Sequence, residues 1–169
     1  MNRVPAAPLW LHARRRRLGP SQVLSVLSMF TPPIDVMAVA TRLGVVWERV
    51  QGLPYSGAVQ ASESPPAAHI WIRAEEFPAR QRFTMAHELG HLLQHPLPPG
   101  GMMFRDVTFE GSTEEAQANR FAANLLMPLP MLDAADRRLG GNVELLAQLF
   151  DVSVAAMEVR LLRLRGVSA

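Results

Sequence analysis

The chain has 169 residues, 49% hydrophobic and 19% charged, with a formal net charge of +2; this is material for one ordinary domain with a real core and excludes a disordered chain. It contains no cysteine, so disulfide frameworks and thiolate metal sites are excluded, and any transition metal must be held by histidine and carboxylate. All 17 basic residues are arginine, and guanidinium stays charged at any ordinary pH, so the high pI is not a nucleic-acid signature.

Five arginines (Arg3 and Arg14 to Arg17) fall within residues 1–20 with no acid among them, leaving twelve against fifteen Asp and Glu in the remainder. This describes a flexible basic arm, residues 1–19, on a mildly acidic body, the arm reading as a solvated tail before it reads as a nucleic-acid contact. No apolar run approaches the roughly 20 residues of a membrane span. Arginines ahead of Val23–Phe30 imitate a secretory leader, but Gly19-Pro20, Pro32-Pro33 and Asp35 interrupt the pattern, and the expectation is a cytoplasmic protein.

Pro20-Ser21 opens a helix carrying Val23, Leu24, Leu27 and Phe30 on one side, broken by Thr31-Pro32-Pro33. A second helix runs from Ile34 to Leu43 with Val36, Val39, Ala40 and Leu43 apolar and Gly44 as its stop. The hydrophobic period then changes. Residues Val45–Val50, Gly57–Ala61 and His69–Arg73 read as three short strands separated by Gly52-Leu53-Pro54 and Ser62–Pro66, which predicts a small antiparallel sheet. The sheet leads into a helix starting near Pro78 and ending near His95-Pro96. Pro98, Pro99, Gly100 and Gly101 follow as a loop suited to a rim or lid. Ser112-Thr113-Glu114-Glu115 is a capping-box pattern ahead of the apolar face Ala118, Phe121, Ala122, Leu125, and Met127-Pro128-Leu129-Pro130 ends that helix. Residues 131–169 read as two or three short helices with Gly140-Gly141-Asn142 as a turn. The expected organisation is an arm over 1–19, a body over 20–130 and a helical module over 131–169, with no internal repeats.

The chemistry concentrates in His87-Glu88-Leu89-Gly90-His91. Histidines four residues apart stand about 40° apart around a helix, so both imidazoles reach one ion from the same face. Glu88 projects beside that ion, where a general base for a water is wanted. The flanking residues are apolar, and burying His and Glu without a task is costly. A catalytic zinc takes three protein ligands and keeps one position open. Candidates for the third are His95, Asp106, Glu110, Glu114 and Glu115. His95 is a further turn along the same helix, but Pro96 ends the helix there. Glu114 and Glu115 begin a second helix able to cross the first, and Asn119, one turn past Glu115, is placed to hold a ligand histidine by its other ring nitrogen. Against Glu115 stands its use as the reciprocal half of the cap with Ser112.

Residues 33 to about 165 resemble the ImmA/IrrE family of zinc-dependent peptidases. The resemblance is carried by Arg82-Phe83-Thr84-Met85-Ala86-His87-Glu88-Leu89-Gly90-His91, by Glu115 with Ala118-Asn119-Arg120-Phe121-Ala122, and by Leu125-Leu126-Met127-Pro128. Leu146–Ser153 with Arg160-Leu161 is similar to that family's helix-turn-helix-like tail. One departure is visible: the family often has a second glutamate where this chain has Gln117. The resemblance implies an α+β fold, a small antiparallel sheet packed on a zincin-type active-site helix pair with a thermolysin-like core, followed by the C-terminal module. It implies Zn2+ (or Mn2+) on His87, His91 and Glu115, with Glu88 as the catalytic base. It also implies a protein substrate, a helix-turn-helix transcriptional repressor in a stress-response or mobile-element switch, or a place in a toxin–antitoxin-like pair.

Three further readings bound that expectation. Tyr55 and His69 are candidates to stabilise an oxyanion, although each reads more simply as a loop or core residue. The terminal module carries five arginines (Arg137, Arg138, Arg160, Arg163, Arg165) against five acids (Asp133, Asp136, Glu144, Asp151, Glu158); phosphate binding needs a positive surface, so packing or partner recognition is favoured over direct DNA binding. The competing class is a non-cleaving, metal-containing regulator that binds a repressor. The presence of Glu88 favours the enzyme, because a structural zinc has no need of a general base and prefers four protein ligands.

Overall fold

The computed structural model describes residues 7–96, 102–104 and 112–166. Among the described residues, eight helices and four strands follow in the order α1 (Leu9–Arg15), α2 (Pro20–Val26), α3 (Val36–Leu43), β1 (Val46–Val50), β2 (Gly57–Glu63), β3 (Pro66–Arg73), α4 (Pro78–Gln94), β4 (Met102–Phe104), α5 (Thr113–Leu126), α6 (Leu129–Leu139), α7 (Val143–Phe150) and α8 (Val154–Leu164). Local chemistry accounts for the helix ends. Asp35 accepts from the backbone N–H of Ala38, Ser112 from that of Glu115, Asn142 from that of Leu145 and Ser153 from that of Ala156. These side chains satisfy amides that lack a partner within the helix. Gly44 and Gly140 close α3 and α6 in the left-handed region, at φ of 81° and 63°.

The sheet is mixed, not wholly antiparallel as the strand pattern had implied. Its order is β1-β3-β2-β4, with β2 antiparallel to both β3 and β4 but β1 parallel to β3. The physical reason lies in the connections. β2 and β3 form a hairpin whose ladder runs to Glu63↔Pro66, while residues 51–56 carry the chain from β1 across the width of one strand. β3 turns back into that gap, antiparallel to β2 and therefore parallel to β1. Both strands of the hairpin are longer than expected, because Ser62 and Pro66 belong to the ladder and not to the turn.

A second correction concerns the N-terminus. Within the expected basic arm, residues 9–15 are helix α1, and Trp10, Leu11 and Ala13 are buried, Trp10 completely. Arg14 donates through one terminal nitrogen to the carbonyls of Leu92 (2.5 Å) and His95 (2.7 Å) and through Nε to Glu63 (3.2 Å). The arginine cluster looked like a solvated tail because its charges masked a tryptophan that fits the core. Phe30 departs in the other direction: α2 ends at Val26, the helical period stops with it, and the ring is 62% exposed.

Helix α4 is central. Residues 84–93 are all buried, enclosed by the β2–β3 face on one side and by α1, α3 and α5 on others. This is why its histidines and glutamate are buried too. The core is one cluster running from Trp10, Ile34 and Leu43 through Ile70, Ile72, Leu89 and Leu92 to Leu125 and Phe150. The terminal helices are tied on by two arginines. Arg82 of α4 donates to the Phe150 and Asp151 carbonyls and pairs with the Asp151 carboxylate, and buried Arg160 of α8 donates to the Met127 carbonyl. No described helix is long and apolar enough to cross a membrane.

Candidate metal centre

His87, Glu88 and His91 are placed by α4 and are 0%, 1% and 6% exposed as residues. Glu115 is placed by the first turn of α5, which packs across α4. The approach of these two helices depends on Gly90. A Cβ there would lie 3.1 Å from the Phe121 Cβ, 3.2 Å from the Ala118 Cα and 3.3 Å from the Ala118 carbonyl oxygen, inside ordinary contact distance. Glycine therefore lets α5 come close enough to bring its carboxylate to the histidines.

The three side chains converge. His87 Nε2 lies 3.3 Å from Glu115 Oε2, His91 Nε2 lies 3.0 Å from Glu115 Oε1, and the two Nε2 atoms are 2.9 Å apart. Among the described residues these three form a donor set able to hold a metal ion, with ligand atoms all within 4.8 Å of one another. The donor chemistry fits a cation. His87 Nδ1 is 3.0 Å from Asn119 Oδ1, an acceptor, so the ring hydrogen sits on Nδ1 and Nε2 turns a lone pair to the centre. Glu115 adds anionic oxygens. Tetrahedral zinc with bonds of about 2.0–2.2 Å would hold its ligand atoms about 3.4 Å apart, only slightly wider than the set found here. Glu115 meets Ser112 through its backbone N–H, while its carboxylate lies 3.0 Å from His91 Nε2.

Of the other ligand candidates, His95 and Glu114 lie outside the donor set. His95, just past the end of α4, is no member of the donor set; its Nδ1 is 2.9 Å from His91 Nδ1 and its Nε2 is 3.1 Å from Gln117 Oε1. Burial pushes the His95 pKa down, a tendency reinforced by Arg14 and opposed by the Gln117 hydrogen bond and the charge of Glu114. Glu114 is exposed and outside the set. Asp106, Glu110 and the expected rim at Pro98–Gly101 lie outside the described residues. His69 lies on β3, stacked on Trp71 with ring centroids 4.2 Å apart and with Nε2 3.1 Å from Glu48. Its β3 neighbours Ala68 and Ile70 are buried, so by strand alternation it stands on the opposite face of the sheet from the core. Tyr55 is in the loop before β2, two residues from Gly57. That glycine is a residue sequence reasoning missed: a Cβ on it would overlap Thr84 Cγ2 and come within 3.2 Å of Glu88 Oε1 and 3.1 Å of the Trp71 carbonyl. Its place at the start of a strand after Pro54-Tyr55-Ser56 signalled a turn but not a close approach to Glu88.

Residues 41–162 match the family model of the IrrE N-terminal-like domain, peptidase M78. Among solved structures, a Mycobacterium tuberculosis transcriptional regulator is similar, with a TM-score of 0.60 at 19% identity over 91% of this chain and 46% of that one. The chain thus spans less than half of that regulator's length, and a likeness at this identity concerns the fold. No curated protein matches the chain.

Proposed function

The chain belongs to the family of IrrE N-terminal-like peptidase domains, and on that premise we propose that it is a zinc-dependent peptidase that hydrolyses a peptide bond in a partner protein. The observation that carries the reading is the convergence of His87, His91 and Glu115 with buried Glu88 beside them on α4. Three protein ligands leave a coordination position for reactants, where a purely structural site prefers four. When bound there, Zn2+ (or Mn2+) acidifies the attacking water and polarises the scissile carbonyl. Glu88 takes the proton from that water and hands it to the leaving amine. Asn119 holds His87 in the ligating tautomer, and burial of His87, Glu88 and His91 strengthens their electrostatic contacts by excluding water.

The partner in this reading is a helix-turn-helix transcriptional repressor, so that cleavage switches on stress-response or mobile-element genes in the cytoplasm. What supports it is the family resemblance of the tail, whose helices α7 and α8 are joined by residues 151–153 and pack on each other. In the same reading α4 and α5 are the zincin-type helix pair. Of the tail's arginines, Arg160 is spent on packing, which favours protein contact over DNA contact for the tail. The test is incubation of metal-loaded protein with a helix-turn-helix repressor taken from a neighbouring gene. Wild type should release a discrete fragment, and Glu88→Gln should release none while keeping its metal. Binding by both proteins with cleavage by neither, under zinc and manganese, would overturn the peptidase assignment.

A further inference from the structure

Asn119 explains the tautomer of His87, and the other ligand, His91, meets a different neighbour at its Nδ1. Its Nδ1 faces the ring of His95 at 2.9 Å, and His95 in turn reaches Gln117 at 3.1 Å. We propose that His95 and Gln117 form a positioning relay that holds His91 with its hydrogen on Nδ1 and its Nε2 lone pair toward the metal. The inference rests on the metal-site reading above and concerns how that site is made.

The argument follows from donors and acceptors. Gln117 presents its carbonyl oxygen to His95 Nε2, so that nitrogen carries the hydrogen and His95 Nδ1 is left as an acceptor. The facing His91 Nδ1 must then donate, and its Nε2, 3.0 Å from Glu115 Oε1, is free of hydrogen. Reversing the Gln117 amide would reverse every bond: its NH2 would donate to His95, His95 would donate to His91, and His91 would point an N–H into the donor set. No cation could then bind. A carboxylate at this position could only accept, so the amide makes the polarity of the relay a property of how Gln117 is oriented. Both nitrogens of His95 are occupied by the relay, which is why it is not a ligand although it lies a turn beyond His91.

The position of His95 is itself built. It follows the last residue of α4 with extended backbone angles, φ −107° and ψ 153°, so helix geometry does not aim its ring. Arg14 of α1 grips its carbonyl and that of Leu92, and the residue is buried at 5% exposure. Helix α1 therefore contributes to the metal centre at one remove.

Two measurements test the relay apart from catalysis. In metal-free wild type labelled with 15N-histidine, two-bond 1H–15N correlations should show His91 hydrogenated on Nδ1, the form free imidazole disfavours in water, and His95 hydrogenated on Nε2. His91 found with its hydrogen on Nε2 would overturn the proposal without any variant having to fold. In Zn2+ competition against a chromophoric chelator, His95→Leu should bind about 10–100-fold more weakly, the scale for losing a ligand's hydrogen-bond partner. His95→Asn, whose Oδ1 stands where Nδ1 stood and still accepts, should recover most of that loss. Equal affinity for wild type and His95→Leu refutes the relay, whereas failure of wild type itself to bind Zn2+ would refute the metal site on which it rests.

Discussion

Gly90→Ala isolates the contact that brings the two ligand-bearing helices together. The new methyl would meet α5 backbone and Cβ atoms at 3.1–3.3 Å, where carbon atoms rest at about 3.5–4.0 Å, so α5 must retreat by roughly 0.5 Å. Glu115 sits one turn before Ala118 on that helix and would move with it. Metal sites tolerate errors of only about 0.2 Å in ligand distance, so the carboxylate would fall outside bonding range or pull the helix back at a cost. Stability and metal affinity should therefore part company. Alanine gains about 1 kcal/mol of helix propensity over glycine, and overpacking costs about 1–3 kcal/mol, so metal-free stability should change by no more than about 2 kcal/mol. Zinc affinity should fall by about 10–100-fold, the scale found when a ligand loses its support. Urea unfolding of the metal-free protein and chelator competition measure the two quantities. Wild-type zinc affinity in Gly90→Ala would refute the claim that this close approach sets the geometry of the centre.

Three other perturbations separate roles that lie close together. Trp10→Ala should cost about 3–5 kcal/mol in urea unfolding, as for any fully buried aromatic; an unchanged midpoint would return residues 9–15 to the status of a free arm. Gly57→Ala drives a methyl toward Thr84 and Glu88 and not toward the ligands, so partner cleavage should drop while zinc affinity holds. A parallel loss of both would show that Glu88 is not the group displaced. Stripping the metal should lower the melting temperature. At a free zinc concentration 100 times Kd the ion contributes about 2.7 kcal/mol, which for a chain of this size is a shift of about 5–10 °C by calorimetry with and without chelator. No shift, with zinc demonstrably bound beforehand, would mean the ion binds the unfolded chain equally well.

Much of the molecule is decided within a few residues of chain. The ends of α3 and α5 follow from Asp35, Gly44 and Ser112 acting on amides and carbonyls of the adjacent turn, and the start of α4 from Pro78. The pairing of His87 with His91 is a consequence of helical pitch alone, and Asn119 one turn beyond Glu115 follows the same rule. Such features are legible because the interacting groups are neighbours in sequence. What tertiary structure alone decided are contacts between surfaces made far apart in the chain. Trp10 is core only because α3 and α4 supply a place for it; without them its arginine neighbours describe a tail. β1 runs parallel to β3 because of where a loop crosses, which strand periodicity does not encode. His95 stands four residues past His91, as a ligand would, yet it works behind that ring because Gln117 and Arg14, 22 and 81 residues away, take up its nitrogen and its carbonyl. Helix pitch sets which side chains share a face, but packing sets which atoms those side chains meet.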